Sequence, residues 1–507
     1  MTIALLGIDI GTSGTKTALF GIDGKLLASH TEEYPLYQPH NGWAEQDTGD
    51  WWNATVEGIR AVLAKAGGAE IKGIGLSGQM HGLVMLDANG ESLRRSIIWC
   101  DQRTEAELED MDRLLGRKRI IEITANAPMT GFTSAKILWV KKNEPEIYEK
   151  CAHILLPKDF IRYKLTGEFA TEVSDASGMQ LMDVPKRDWS AEVCDAFGID
   201  IALLAKMYES QDVTGVTSVE CEKLTGLKAG IPVVGGAGDN PAAAVGTGVV
   251  VQGKAFTTIG SSAVVYAVSD DVHIDIDGRV HALCASVPGK WTVMSCTQGA
   301  GLSIQWLRNH MCLDMIKEAE AAGIDSYDMM DELAETIPIG SDRLLFLPYL
   351  MGERSPHPDP DARGVFFGLS GVHERANLIR AVREGVAFSQ LECVEVFREM
   401  GVPVGDMMLT GGGAKSPLWR QMLADLYGCP VSIPASDEGA ALGAAILAGV
   451  GTGVYSSLPE ACGELIGKGD TLEPDEERGK KYAPYFALYK QLYKSLKADF
   501  KTLGSIV

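Results

Sequence analysis

"GIDIGTSGTKTALF", Gly7 to Phe20, sets an acid inside an apolar run and follows it with glycines and small hydroxyls. Glycine-rich loops after strands cradle phosphates, because unhindered backbone N–H groups can converge on an anion there. The two familiar cradles, G-x-G-x-x-G and G-x-x-x-x-G-K-[ST], both open a helix. Neither pattern is met here. Lys16 is followed by Thr17-Ala18-Leu19-Phe20, a turn at Ile22-Asp23-Gly24-Lys25, and then Leu26-Leu27-Ala28. That order predicts strand, tight loop, strand, turn, strand: an antiparallel meander with a phosphate-like loop at a hairpin tip.

Outward from the meander, "DTGDWWNATVEGIRAVLAKAGG" predicts a helix. Asp47 or Thr48 caps it, Trp52, Val56, Ile59 and Leu63 share its apolar face, and Gly67-Gly68 end it. A strand at Ile71–Ser77 leads into the loop "GQMHG", and charged helical segments fill roughly 104–165. The run "IPVVGGAG", Ile231–Gly238, reads as a buried strand ending at Asp239. Past Gly253 the opening pattern returns as "AFTTIGSSAVVYAV", and "HALCASVPGKWTVMSC" continues a second meander. This weak internal repeat predicts two similar α/β domains, 1–250 and 251–507. Each is expected to offer a hairpin loop to a shared cleft that clamps a nucleotide's phosphate chain.

The bulk numbers agree with two domains and narrow the partners. At 507 residues the chain exceeds what one core usually fills. A net charge of -22 argues against nucleic-acid and anionic-membrane partners. The ten cysteines include no C-x-x-C pair, so reduced core residues are expected, with no zinc site and no disulfide framework. No basic leader and no membrane-length apolar run is visible, and a cytoplasmic location is expected. The oligomeric state is left open, a homodimer being one assembly the sequence allows.

Several residues carry candidate chemistry. Asp9 alone fits either a turn carboxylate that caps backbone N–H groups or a carboxylate that holds Mg²⁺ beside phosphates cradled by Gly11, Thr12 and Gly14. Lys16 fits a phosphate contact or a surface lysine equally. In "GGAGDNPAAAVG", Asn240 suits an N-cap and Pro241 a first helical position, so Asp239 falls between a strand end and a helix N-terminus. A carboxylate there either caps the helix or accepts a hydroxyl proton while that oxygen attacks phosphorus. His81, between glycines in "GQMHG", is either a ligand contact or a structural histidine. The glycines of "LTGGGAKSPLWRQML" offer N–H groups to a nucleotide or form a simple strand-to-helix turn.

Together these residues resemble the FGGY carbohydrate kinase family over nearly the whole chain. "GFTSAKILWVKKN" (Gly131–Asn143) is similar to its first signature, with Lys136 and Trp139 at the core. "GVFFGLSGVHERANLIRAVRE" (Gly364–Glu384) is similar to the second, except that Arg383 stands where an apolar residue is usual. "GLSGQMHGLVMLD", "IIWCDQRT", "LLPKDFIRYKLTGEFATEVSDASG" and "MGERSPH" are similar to the xylulokinase branch, although Cys100 stands where Asn is common. The resemblance implies two actin/hexokinase/Hsp70-like (ribonuclease H-like) α/β domains flanking a nucleotide- and sugar-binding cleft. It implies ATP and Mg²⁺ as cofactors and a ketopentose, D-xylulose above others, as substrate. It assigns Asp239 as catalytic base and Asp9 to catalysis and Mg²⁺. Gln79, Met80 and His81 fall at sugar-contact positions with Asp239 and Asn240. Gly11, Thr12, Gly260, Ser261, Gly412 and Gly413 fall at nucleotide positions.

Two other classes of function stay in view. Kinases for other ketoses or polyols share the same framework, and an actin- or Hsp70-like ATPase shares the fold. A proton-accepting Asp239 suits a hydroxyl nucleophile and speaks against the ATPase. A nicotinamide-dependent dehydrogenase is remote, since no G-x-G-x-x-G opens a helix.

Overall fold

The computed structural model describes residues 2–436 and 438–506. The chain folds as two compact units. Residues 2–251, 268–292 and 438–467 make one, and residues 252–267, 293–436 and 468–506 the other.

The first unit is built on a mixed sheet in the order Val213–Val216, Pro232–Val234, Glu70–Gly78, Ile3–Ile10, Gly14–Gly21, Leu26–Glu33. The predicted meander is its antiparallel edge: Asp9 pairs with Lys16, and the strands turn through Gly11–Ser13. On its other side Ile3–Ile10 runs parallel to Glu70–Gly78, with Asp9 beside Ser77. The short strand Ala237–Gly238 also runs parallel to Glu70–Gly78, with Ala237 beside Ser77. Three parallel strands therefore end together. Ligands in open α/β sheets gather at such carboxyl ends.

Close packing explains two of the sequence's glycine positions. The helix Gly439–Gly451 lies so near the sheet that a Cβ on Gly7 would sit 2.0 Å from the Ala441 carbonyl oxygen, and one on Gly75 1.8 Å from that of Ala444. No side chain fits at either position. The helix Thr48–Lys65 covers the opposite part of the meander, with Asp47 accepting from the Gly49 N–H as its cap. Its buried stripe runs through Trp51, Thr55, Ile59 and Val62, while the expected Trp52 and Leu63 are only half-buried. The stripe turns because Gly58 meets Thr17, where a Cβ would lie 2.4 Å from the hydroxyl.

Two local expectations change. The run Ile231–Gly238 is two short strands, Pro232–Val234 and Ala237–Gly238, broken where Gly236 takes φ +71°. The helix after it spans Asp239–Gly246, with Gly238 as N-cap. Asn240 thus lies inside the first turn, and Asp239 itself opens the helix.

The second unit repeats the plan. Gly253–Ile259 pairs antiparallel with Ala263–Ser269 and parallel with Val404–Thr410, which is parallel to Val431–Pro434. Thr258 lies beside Thr410, so the loop after Ile259 and the glycine turn after Thr410 leave the same end of the sheet. The long helix Arg375–Glu399 is buried along most of its length, and the helix Pro417–Tyr427 starts at a Ser416 cap. Among the described residues no helix is long and apolar enough to cross a membrane.

Candidate active site

In the first unit the strand ends bring Asp9, the Gln79–Gly82 loop and Asp239 together. Ser77 Oγ donates to Asp9 Oδ1 at 2.7 Å. Burial lifts the Asp9 carboxyl above its ordinary value, an effect opposed by the Ser77 hydrogen bond and by Lys16. Asp239 Oδ1 accepts from the Asn240 backbone N–H at 2.7 Å and from Asn240 Nδ2 at 2.9 Å. Burial, and secondarily the charge of Asp9, push Asp239 up to about 7. Two carboxylates that disfavour each other's ionisation form a site that gains from a divalent cation or a passing proton.

The glycine loop at the hairpin tip is braced from below. The Gly11 N–H donates to the Gly14 carbonyl at 3.0 Å. Gln46 Nε2 donates to the Thr12 carbonyl at 2.6 Å, and Trp99 Nε1 to the Thr12 hydroxyl at 2.9 Å. Tyr34 Oη donates to the Gly11 carbonyl at 2.5 Å. Gln79, buried, gives its amide N–H groups to Gln46 Oε1 at 2.6 Å and to the Gly11 carbonyl at 3.3 Å. It ties the two loops to each other.

His81 sits at φ +69°, a left-handed conformation that a non-glycine residue adopts only when its surroundings impose it. The imposing groups are visible. Lys136 Nζ donates to the His81 carbonyl at 2.8 Å and to the Gly131 carbonyl at 2.7 Å, and Thr133 Oγ1 adds a third bond at 3.1 Å. The ring stands edge-on to Phe132 at 4.8 Å, and Nδ1 donates to the Gly178 carbonyl at 3.2 Å. A carbonyl can only accept, so Nδ1 carries a proton in that bond. Lys136 is completely buried, and desolvation lowers its ammonium to about 7. Met80 lies against Gly238, where a Cβ would come within 2.7 Å of its Cγ. The sulfur side chain thus closes over the residue before Asp239.

Behind Asp239 lies a buried ionic cluster. Lys158 Nζ is 2.8 Å from Asp159 and 3.2 Å from both Glu172 and Asp175. Glu172 accepts from Ser174 Oγ, which accepts from the Gly238 N–H at 3.3 Å. The sequence showed none of these supports as site residues. Ser77, Trp99, Lys136 and Lys158 become relevant only through strand register and through helices remote in sequence; the signals were Lys136 at the core of the first signature and the charged residues set into the otherwise apolar "LLPKDFIRYKL".

The second unit gathers the other set. Gly260, Ser261, Gly412 and Gly413 line a cavity of about 550 Å³. The Gly260 carbonyl accepts from the Gly301 N–H at 2.8 Å and the Ser261 carbonyl from Leu302 at 3.0 Å, so the loop rests on the start of the helix Gly301–Met311. Backbone bulk is excluded on purpose-sized terms: a Cβ on Gly301 would lie 2.2 Å from the Gly260 carbonyl oxygen, and one on Gly413 2.6 Å from Ile259 Cβ. Ile304 and Trp419 supply apolar wall, and Asp331 and Arg383 a charged one. A glycine-lined mouth, a helix start and an aromatic wall suit a nucleotide of this size.

Comparison with known proteins places the chain. Residues 4–246 match the N-terminal domain of the FGGY family of carbohydrate kinases, and residues 255–452 match its C-terminal domain. The chain is 37% identical to a xylulose kinase from Bacillus subtilis over 491 residues, 96% of each chain. It superposes on the xylulose kinase of Rhodospirillum rubrum with TM-score 0.92 at 28% identity, covering 98% of this chain and 100% of that one. The gluconate kinase of Lactobacillus acidophilus gives TM-score 0.93 at 26% identity, covering 99% and 100%. With a carboxylate pair at converging strand ends and a glycine-lined cavity in a second unit of like design, the chain belongs to the FGGY family of carbohydrate kinases and is an ATP-dependent sugar kinase.

Proposed function

We propose that the sugar is a ketopentose, D-xylulose above others, phosphorylated at O5 to D-xylulose 5-phosphate. The observation that carries the reading is Asp239, a half-buried carboxylate poised near neutrality beside Asp9 and the Met80–His81 loop. In this reaction the sugar hydroxyl oxygen bonds to the γ-phosphorus as the bridging β–γ oxygen leaves with ADP. Asp239 takes the hydroxyl proton as that bond forms. His81 Nε2, Met80 and Asn240 orient the sugar, and the exposed indole of Trp99 beside Thr12 gives a flat apolar face for its carbon skeleton. In the second unit Gly260, Ser261, Gly412 and Gly413 contact the nucleotide, and in the first unit Gly11 and Thr12 serve as a phosphate loop.

Magnesium fits the residues present. Among the described residues no group of three or more His, Cys, Asp or Glu side chains stands ready to hold a metal. Mg²⁺ keeps most of its waters and binds through one or two carboxylates plus phosphate oxygens, a demand that Asp9 meets while Asp239 stays free to accept the proton. When bound it would neutralise charge on the transferring phosphate.

The B. subtilis relative supports xylulose by its name. The gluconate kinase likeness supports a sugar acid, but an anionic substrate wants a cation, and the buried ammonium groups Lys136 and Lys158 are engaged by carbonyls and carboxylates. The test is kcat/KM with saturating Mg-ATP for D-xylulose, L-xylulose, D-ribulose, gluconate and glycerol. D-Xylulose is expected to lead by at least tenfold. A higher value for any other sugar reassigns the substrate, and ADP release indifferent to every sugar returns the ATPase reading.

A further inference from the structure

The wall of the second unit's cavity carries one residue that the kinase reaction has not used. Arg383 projects from the helix Arg375–Glu399 and is 2% exposed, yet it lines the cavity. Its Nη2 lies 2.5 Å from Asp331 Oδ1, and its guanidinium carbon stands 4.2 Å from the centre of the Trp419 ring. Trp419 in turn donates its indole N–H to the Arg383 carbonyl at 2.9 Å, locking ring and helix together. Arg383 Nε is buried and has no hydrogen-bond partner among the described residues. Asp331 lines the same cavity from the helix Ser326–Glu335.

An ion pair in the wall of a binding cavity is expensive to desolvate, and a buried donor without a partner adds to that cost. Both become favourable when a ligand edge supplies what is missing. The fork offers N–H donors from Arg383 beside an acceptor from Asp331. The complementary edge is an acceptor next to a donor. Adenine carries that edge, since its N6 amine is flanked by a ring nitrogen on either side, N1 or N7. A 6-oxopurine presents a carbonyl where adenine has the amine, and that oxygen would face the Asp331 carboxylate. We propose that Arg383 and Asp331 read the base of the phosphoryl donor and select adenine over 6-oxopurine nucleotides. This rests on the reading of the cavity as the nucleotide site.

The reader acts on the base, so ligand analogues test it in the unaltered enzyme. Inosine triphosphate is expected to have kcat/KM 10- to 100-fold below ATP, the range for one mismatched buried polar contact. Of 1-deaza- and 7-deaza-ATP, one is expected to be similarly weakened, which locates the edge that Arg383 meets. Asp331→Asn offers an amide that can turn its NH₂ toward O6, and should narrow the ATP-to-ITP ratio to within about threefold while the sugar KM holds. Equal use of ATP and ITP by the wild type, two deaza analogues as good as ATP, or a folded Asp331→Asn enzyme with an unchanged ratio would each overturn the proposal. Should that variant not fold, the analogue series alone decides. Gly412→Leu separates this from failure of the cavity reading. A Cβ at Gly412 meets only the Ile259 carbonyl oxygen at 4.0 Å, so the added side chain fills cavity space without a backbone clash. It should raise the KM of ATP and ITP together. If it moves neither, the cavity is not the nucleotide site; if it moves both while wild type treats the two alike, only the base-reading proposal falls.

Discussion

A carboxylate that must take a proton from an alcohol works best when its own affinity for protons is near the ambient value. Asp239, held at about 7 by burial and by Asp9, meets that requirement. The acid limb of kcat/KM for the sugar should therefore fall with an apparent midpoint near 7, a value belonging to the coupled Asp9–Asp239 pair. Asp239→Asn should keep ATP binding and lose about 10²- to 10⁴-fold in kcat. The same variant should show a stability effect of definite sign. The folded-state value lies above the unfolded value of 3.8, so the native state loses stability as pH rises from about 4 to about 7. Removing the charge should then raise Tm at pH 8, with the gain vanishing toward pH 4, as thermal melts across that range would show. Asp9→Ala should raise the Mg²⁺ concentration needed for half-maximal rate more than it raises the sugar KM; an unaltered Mg²⁺ titration would leave Asp9 as a turn residue. Both aspartates were readable in the sequence because each follows an apolar strand and precedes a glycine or helix. Ser77 was not, since only the parallel register with Ile3–Ile10 sets it against Asp9.

The element proposed to grip the sugar is the loop Gln79–Gly82, and it is held in a conformation it would not choose alone. The left-handed turn at His81 is maintained by the Lys136 ammonium and the Thr133 hydroxyl on one carbonyl. If His81 contacts the sugar as proposed, His81→Ala should raise the sugar KM roughly threefold to a hundredfold with the ATP KM little changed. Lys136→Met removes no such contact. It should still raise the sugar KM by about tenfold, because each of its two buried hydrogen bonds contributes about 0.5–1.5 kcal/mol even from a neutral amine and the loop relaxes without them. Parallel rises in both KM values would mark Lys136 as a general core residue. The sequence exposed this loop through its two flanking glycines. It did not show why Lys136 is an acceptable core residue, because two backbone carbonyls solve its desolvation and neither is visible in a residue pattern. Helix faces were likewise legible to within one position: Gly58 against Thr17, a contact between elements, rotated the stripe from Trp52 to Trp51.

At the scale of the whole molecule, the repeat of strand, small-residue loop and strand was legible, and the first meander forms as read. The second does not continue in chain order: Trp291–Thr297 lies beside Ala263–Ser269, and His281–Cys284 is placed outside it at the sheet edge. The return of Glu438–Gly467 to the first unit was not, because an alanine- and glycine-rich helix carries no mark of the sheet it will cover. A fragment ending at residue 251 lacks that helix and leaves the glycine-lined face of Ile3–Ile10 and Glu70–Gly78 bare. It should bind a hydrophobic dye and aggregate, while the full chain does neither; a soluble, cooperatively melting fragment would show that the sheet needs no cover. The arrangement also has a temporal meaning. On the ribosome the first unit's strands emerge early, yet their covering helix is not complete until residue 451 has been made. At about 5–20 residues per second the sheet waits about 10–40 s, counted from residue 251, with its apolar side open. The nascent chain thus passes through a long interval in which it depends on whatever shields it in the cell, and the enzyme's yield is set by the order of its synthesis as well as by the stability of its finished form.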